Sequence, residues 1–118
     1  MQEKHLYLPT VGRVTGRQHT VELWFAVSGG KIYLSHEGAP TDWMKNLCKT
    51  DQVEMTITDN RFTGRGRVVS ETEIFSRGKY ALYHKYYGFA EADVIDDWFS
   101  ESSIIEISAI EKSNHMQR

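Results

Sequence analysis

Cysteine, proline and long apolar runs are scarce in this chain, and each scarcity removes a class of protein. Cys48 is the single cysteine among 118 residues. No internal disulfide can form, and a reducing compartment, the cytoplasm, is expected. No apolar stretch is long enough to span a bilayer, and no N-terminal apolar segment reads as a signal peptide. Charge of one sign is not in excess. The formal net charge is -2, without the basic surplus that phosphate neutralisation needs, so no nucleic-acid partner is expected. Internal repeats and low-complexity segments are absent. So are a G-x-S-x-G elbow, a G-x-G-x-x-G turn and a P-loop. The histidines, His5, His19, His36, His84 and His115, show no paired spacing, and Cys48 has no cysteine partner, so no metal site is expected.

What the chain does have is hydrophobic residues at 40%, enough for one domain over residues 1–118 with one core. Val21, Leu23, Phe25 and Val27 alternate with Glu22, Trp24 and Ala26, the period of a strand. Gly29-Gly30 fits a two-residue hairpin turn, and Lys31–Ser35 resumes as a strand. Val53, Met55 and Ile57 alternate before a turn at Asp59-Asn60, and Arg61–Val69 returns. His5–Val11 is a further strand, with Pro9 marking an edge or a bend. Ser102–Ile110 closes the set. Three helices are predicted. One covers Thr41–Cys48 with Thr41 as N-cap. One is opened by a capping box at Ser70-Glu71-Thr72-Glu73 and stopped by Gly88. A short third has Val94, Ile95, Trp98 and Phe99 on its apolar side. Six strands are too few for a sandwich of two full sheets. The expectation is a mainly β (α+β) fold, a six-stranded antiparallel split β-barrel with two or three short helices.

Charge is unevenly spread. Between Phe89 and Ile110 lie Glu91, Asp93, Asp96, Asp97, Glu101 and Glu106 with no lysine or arginine. Between Arg61 and Lys85 lie Arg61, Arg65, Arg67, Arg77, Lys79 and Lys85 against Glu71 and Glu73. Such runs are solvated faces, or faces that meet in a dimer. The apolar residues Trp98 and Phe99 and the tyrosines Tyr80, Tyr83, Tyr86 and Tyr87 add surface that a homodimer would cover.

Two stretches can carry chemistry. In "TVGRVTGRQHTVELWFAV", Gly12 and Gly16 allow a sharp turn, and Arg13, Arg17, His19 and Thr20 offer donors to a phosphate or carboxylate. A solvated hairpin uses the same residues. In "LSHEGAPTDWMKNL", a strand ends at Ser35 and a helix begins near Thr41, so free backbone amides converge around Ser35, His36 and Gly38. Trp43 and Asn46 lie three apart on that helix and share a face, one a stacking plane, the other a donor and acceptor. They serve equally as core and cap.

Taken together, "TVGRVTGRQHTVELWF", "GGKIYLSHEGAPTDWMKNL", "VEMTI" and "FTGRGRVV" resemble the deazaflavin-dependent nitroreductase family. That family lies within the split-barrel superfamily of flavin-binding proteins related to pyridoxamine-phosphate oxidase. The resemblance implies a homodimeric oxidoreductase holding the deazaflavin F420, or FMN as the alternative, near the subunit interface. It would pass hydride to a small electron-poor substrate, quinone- or nitroaromatic-like. It places Arg13, Arg17, His19 and Thr20 at the cofactor tail, Ser35, His36 and Gly38 at the phosphate, and Trp43 and Asn46 on the helix behind. Trp24 and Tyr86 would wall the ring or substrate. No residue is singled out as catalytic, though a tyrosine could give a proton. Val14 and Glu37 depart from the family pattern, each where positive charge would suit an anionic tail. The alternative is a non-catalytic barrel that binds a flavin, a tetrapyrrole or a fatty acyl group.

Overall fold

A computed structural model describes residues 4–11, 16–38, 41–49 and 51–112. The elements, in order, are β1 (His5–Val11), β2 (Gln18–Ser28), β3 (Lys31–Glu37), α1 (Asp42–Lys49), β4 (Gln52–Ile57), β5 (Asn60–Val68), α2 (Thr72–Tyr87), α3 (Ala92–Trp98) and β6 (Ser102–Lys112). The strands pair antiparallel in a closed barrel of order β1-β2-β3-β6-β5-β4. This is the six-stranded, mainly β architecture that the alternating pattern implies.

The chemistry of each strand decides which face it buries. Inside the barrel lie Leu6, Leu8, Phe25, Ile32, Leu34, Met55, Ile105 and Ile107, joined by Trp43, Met44 and Leu47 of α1. A second core, Ala26, Tyr33, Val69, Leu82, Ile95, Phe99 and Ile104, forms where α2 and α3 cover the outer face. β3 and β6 are therefore buried on both sides, so "SSIIEISAI" lacks the alternation of a half-exposed strand.

Gly29 and Gly30 both have positive φ (60° and 76°), as the β2–β3 hairpin turn requires. Several boundaries differ from the sequence reading. β3 runs on through Glu37 because Ser35, His36 and Glu37 pair with Ile104, Ser103 and Ser102. The β4–β5 turn is Thr58-Asp59, since Ile57 pairs with Asn60. The capping box does not form. Glu71 is the N-cap of α2 and makes no side-chain cap bond; its carboxylate instead takes Arg67 Nη1 at 2.7 Å. Of the four apolar residues expected to face the core here, Ile95 of α3 and the C-cap residue Phe99 turn inward, while Val94 and Trp98 stay exposed.

The outer face of β6 carries Glu106, 3% exposed, opposite both Tyr33 of β3 and Arg67 of β5. Tyr33 Oη donates to its Oε2 at 2.9 Å. Arg67 donates to Oε1 from Nε (3.3 Å) and Nη2 (3.1 Å), and Lys31 Nζ stands 3.8 Å from Oε2. Burial first, then the Glu106 hydrogen bond, pushes the Tyr33 hydroxyl above its ordinary range. The acidic and basic runs thus meet partly within one chain: Arg67 reaches Glu106, and Lys79 Nζ lies 2.6 Å from Asp96.

This packing can be tested in two places. A Cβ at Gly78 of α2 would lie 2.7 Å from Ile104 Cγ2 and 2.9 Å from Tyr33 Cδ1, and both partners are fully buried. Gly78→Leu is expected to lower stability by about 1–3 kcal/mol, read as a lower urea midpoint; an unchanged midpoint would show that α2 does not dock there. Separately, the Arg67 hydrogen bond holds the Glu71 carboxyl down at about 2. A depressed carboxyl stabilises the fold above its unfolded value of 4.5, and the contribution is lost as pH falls from there toward 2. Carbon-detected NMR titration of Glu71 should give a midpoint near 2; an ordinary carboxylate midpoint would mean the pair is open in solution.

Candidate functional site

The strand directions bring the end of β1, the start of β2, the end of β3 and the start of β4 to one end of the barrel. β3 and β4 are not neighbours in the sheet, so α1, which joins them, crosses this end. Its sequence suits the crossing. Asp42 sits in the first turn and Lys49 in the last, both favourable to the helix dipole. Trp43, Met44 and Leu47 face inward and are buried.

The predicted residues fall around this end. Trp43 is 6% exposed, and the His36 ring meets it edge-on with centroids 5.8 Å apart. Asn46 is half-buried, and its Nδ2 donates to Thr10 Oγ1 at 3.0 Å. Thr10 lies across the β1–β2 ladder from His19, and Pro9 across from Thr20. His36, Trp43, Asn46, Thr10 and His19 are therefore linked neighbour to neighbour. Arg17 and Gly38 are exposed beside them, and Ser35 is half-buried one position before His36. Arg13, with the rest of 12–15, lies outside the described residues.

A break in the sheet sets the shape of the site. β2 pairs with β3 only from Phe25/Leu34 to Ser28/Lys31, although both strands run on. Continuing that register would set Ser35 opposite Trp24 and His36 opposite Leu23. Instead the strands part, and β2 stays joined to β1 alone from Gln18 to Trp24. His19 and Thr20 flank the open end of this split, and Trp24 stands at its closed end, about 17 Å along the strand at 3.3–3.4 Å per residue.

Trp24 and Tyr86 come together, stacked with centroids 4.2 Å apart and planes 14° from parallel. Trp43 is not with them; it belongs to the barrel interior. Tyr86 Oη accepts the Phe25 N–H at 2.9 Å and contacts the carbonyls of Phe25 and Lys4. Burial pushes its hydroxyl above the ordinary tyrosine range. With Tyr33 donating to Glu106 and Tyr80 to Asp96 (3.4 Å), each of these three tyrosine hydroxyls has a partner within the fold.

The sequence reading missed a cavity of about 470 Å³ between β1, α1 and β4, lined by residues including Leu8, Thr10, Trp43, Asn46, Lys49 and Glu54. Pro9, read as an edge or bend, was the one signal of it. Among the described residues no three His, Cys, Asp or Glu side chains are grouped to hold a metal, and no helix is long and apolar enough to cross a membrane.

No protein-family model matches the chain, and no curated protein does. Solved structures do match. Rv2991, a conserved hypothetical protein from Mycobacterium tuberculosis, superposes with a TM-score of 0.69 at 18% identity, over 98% of this chain and 84% of that one. An F420 reductase superposes at 0.54 with 20% identity, covering 93% and 92%. The heme storage protein HutZ of Vibrio cholerae superposes at 0.63 with 14% identity, covering 99% and 92%. At such identities the likeness shows the fold: this chain is built as the barrel that F420 reductases, pyridoxamine-phosphate-oxidase-like proteins and heme-binding proteins share.

Proposed function

We propose that the chain binds the deazaflavin F420, with FMN as the alternative, along the β2–β3 split and works as an oxidoreductase. The observation that carries this reading is the split itself, flanked by Thr20, Trp24, Ser35 and His36 in a fold that F420 reductases also use. The residues fit the group. Arg17, His19 and Thr20 are exposed at the open end, where they can pair with an anionic tail or phosphate. Trp43 forms the wall behind His36, meeting its ring edge-on, and Asn46 ties the same helix to Thr10. When bound, the deazaflavin supplies a hydride that passes to an electron-poor acceptor such as a quinone or nitroaromatic, and the protein's part is to place and shield it. Glu37, exposed at the end of β3, opposes an acidic tail, though an exposed repulsion is small and screened by salt.

A homodimer belongs to the same proposal. Trp24, Tyr87 and Trp98 are 45%, 47% and 56% exposed and touch in sequence, Trp24–Tyr87 at 5.9 Å and Tyr87–Trp98 at 5.0 Å. A partner subunit would cover this apolar surface. Light scattering should give twice the 13.6 kDa chain mass; the mass of one chain at micromolar concentration would refute the dimer.

Fluorescence titration with F420 and with FMN tests the cofactor. Arg13→Ala with Arg17→Ala should weaken F420 binding by about 1.5–3 kcal/mol for each charge-assisted hydrogen bond removed, with the fold unchanged by circular dichroism. Unchanged binding by the folded double variant would leave the turn as a solvated hairpin. Glu37→Lys should tighten F420 binding, and the gain should shrink at high salt. Tight FMN binding with no response to F420 at any salt would overturn the choice of deazaflavin. A tetrapyrrole carrier would instead show itself by a heme Soret band on titration with hemin.

A further inference from the structure

The β2–β3 split is not the only parting of the strands. β1 and β4 pair at Leu6/Ile57 and Tyr7/Thr56 and nowhere else. Continuing that ladder would set Leu8 opposite Met55, Pro9 opposite Glu54 and Thr10 opposite Val53. These positions instead stand apart, and most of them line the cavity of about 470 Å³ beneath α1. That volume lies within the range of small-molecule sites, about 300–1,000 Å³.

The lining is sorted by chemistry. The floor is Leu8, Trp43, Leu47 and Val53, each under a tenth exposed. The rim carries Lys49 and Glu54, both exposed, and neither has an ion-pair partner among the described residues. Between floor and rim sits Thr10, 5% exposed. Its oxygen accepts from Asn46 Nδ2, while its own hydroxyl proton meets no acceptor among the described residues. A buried hydroxyl with an unused proton favours a ligand atom that can accept it.

We propose that the β1–β4 opening is a binding site for a small, neutral, mainly apolar molecule bearing one carbonyl-type oxygen, which accepts the Thr10 hydroxyl proton. A neutral molecule suits the rim, where Lys49 and Glu54 offset one another and give no net pull to an ion of either sign. The apolar body rests on Leu8, Leu47, Val53 and Trp43. The site needs no coenzyme, so it stands or falls separately from the F420 reading, although Trp43 and Asn46 border both.

The test is amide-resolved NMR titration of the coenzyme-free protein with acetophenone, ethylbenzene and benzoate. Acetophenone should shift Leu8, Thr10, Asn46 and Val53 saturably. Ethylbenzene, the same size without the oxygen, should bind about 5-fold more weakly, as loss of one hydrogen bond predicts. Benzoate should bind more weakly than acetophenone. Thr10→Val should erase the gap between acetophenone and ethylbenzene, and Thr10→Ser should keep it, the same spectra reporting that each variant is folded. Should Thr10→Val fail to fold, the wild-type comparison of the two neutral probes decides alone. Absence of saturable shifts around the opening, equal binding of acetophenone and ethylbenzene, or tighter binding of benzoate would overturn the proposal.

Discussion

Closing six strands into a barrel with only two paired positions between β1 and β4 leaves an opening at one end, and α1 lies across it. Every other feature of that end depends on this plug. Trp43, Met44 and Leu47 complete the interior, and their burial is worth roughly 1.5–3 kcal/mol per side chain. The helix can come so close because β5 carries Gly66, where a Cβ would stand 2.6 Å from Leu47 Cδ1 and 2.9 Å from Val53 Cγ2. Once seated, α1 brings Asn46 to Thr10 and Trp43 to His36. The helix that closes the barrel is thus also the helix that builds the site.

The opposite side of the sheet is settled by charge. A carboxylate as buried as Glu106 is costly unless it is paired and hydrogen-bonded, and removing one partner strands the charge. Here the pairing is dictated by register: Tyr33 and Arg67 are its cross-strand neighbours on either hand. A slip of one residue in β6 would move Glu106 into the barrel and Ile105 out. The buried ion therefore makes the wrong alignment expensive. Gly78 then lets α2 lie directly on Tyr33 and Ile104, and the helix carries its tyrosines down to Trp24.

Much of this was legible in the sequence because it depends on local period and turn chemistry. The strand from Val21 to Val27, the Gly29-Gly30 turn and the helix after Pro40 each follow from nearest neighbours, and all of them form, although the alternation lapses at the strand's end, where Ala26 is buried and Val27 exposed. Less was legible where tertiary contacts win. The capping box is lost because Ser70 gives its N–H (3.3 Å) and hydroxyl (3.5 Å) to the Glu71 carboxylate, which Arg67 holds at 2.7 Å. Glu106 reads as one more solvated acid until β3 and β5 come to flank it. Trp43, Asn46, His19 and His36 could be picked out by residue type. Their meeting through Thr10 could not, because Thr10 carries no signal except the proline before it.

The two openings explain each other. β1 and β2 form one hairpin, paired along its whole described length from His5/Trp24 to Val11/Gln18. At its base the hairpin is tied to both neighbours, to β4 through Leu6 and Tyr7 and to β3 from Phe25 onward. Beyond those ties both outer edges part from the barrel, one over the cavity and the other over the split. The Asn46–Thr10 hydrogen bond ties the far part of the hairpin to α1, and α1 also touches His36 through Trp43. A hairpin anchored at its base and pinned once near its tip leaves a cavity of about 470 Å³ on one side, bordered by Thr10, and an unpaired stretch of strand on the other, bordered by its cross-strand neighbour His19. The missing rungs are therefore not a defect of the barrel. They leave side chains such as Thr10 and His36 off the ladder, and the cost of leaving the β1 and β4 edges apart is offset by packing α1 across the gap.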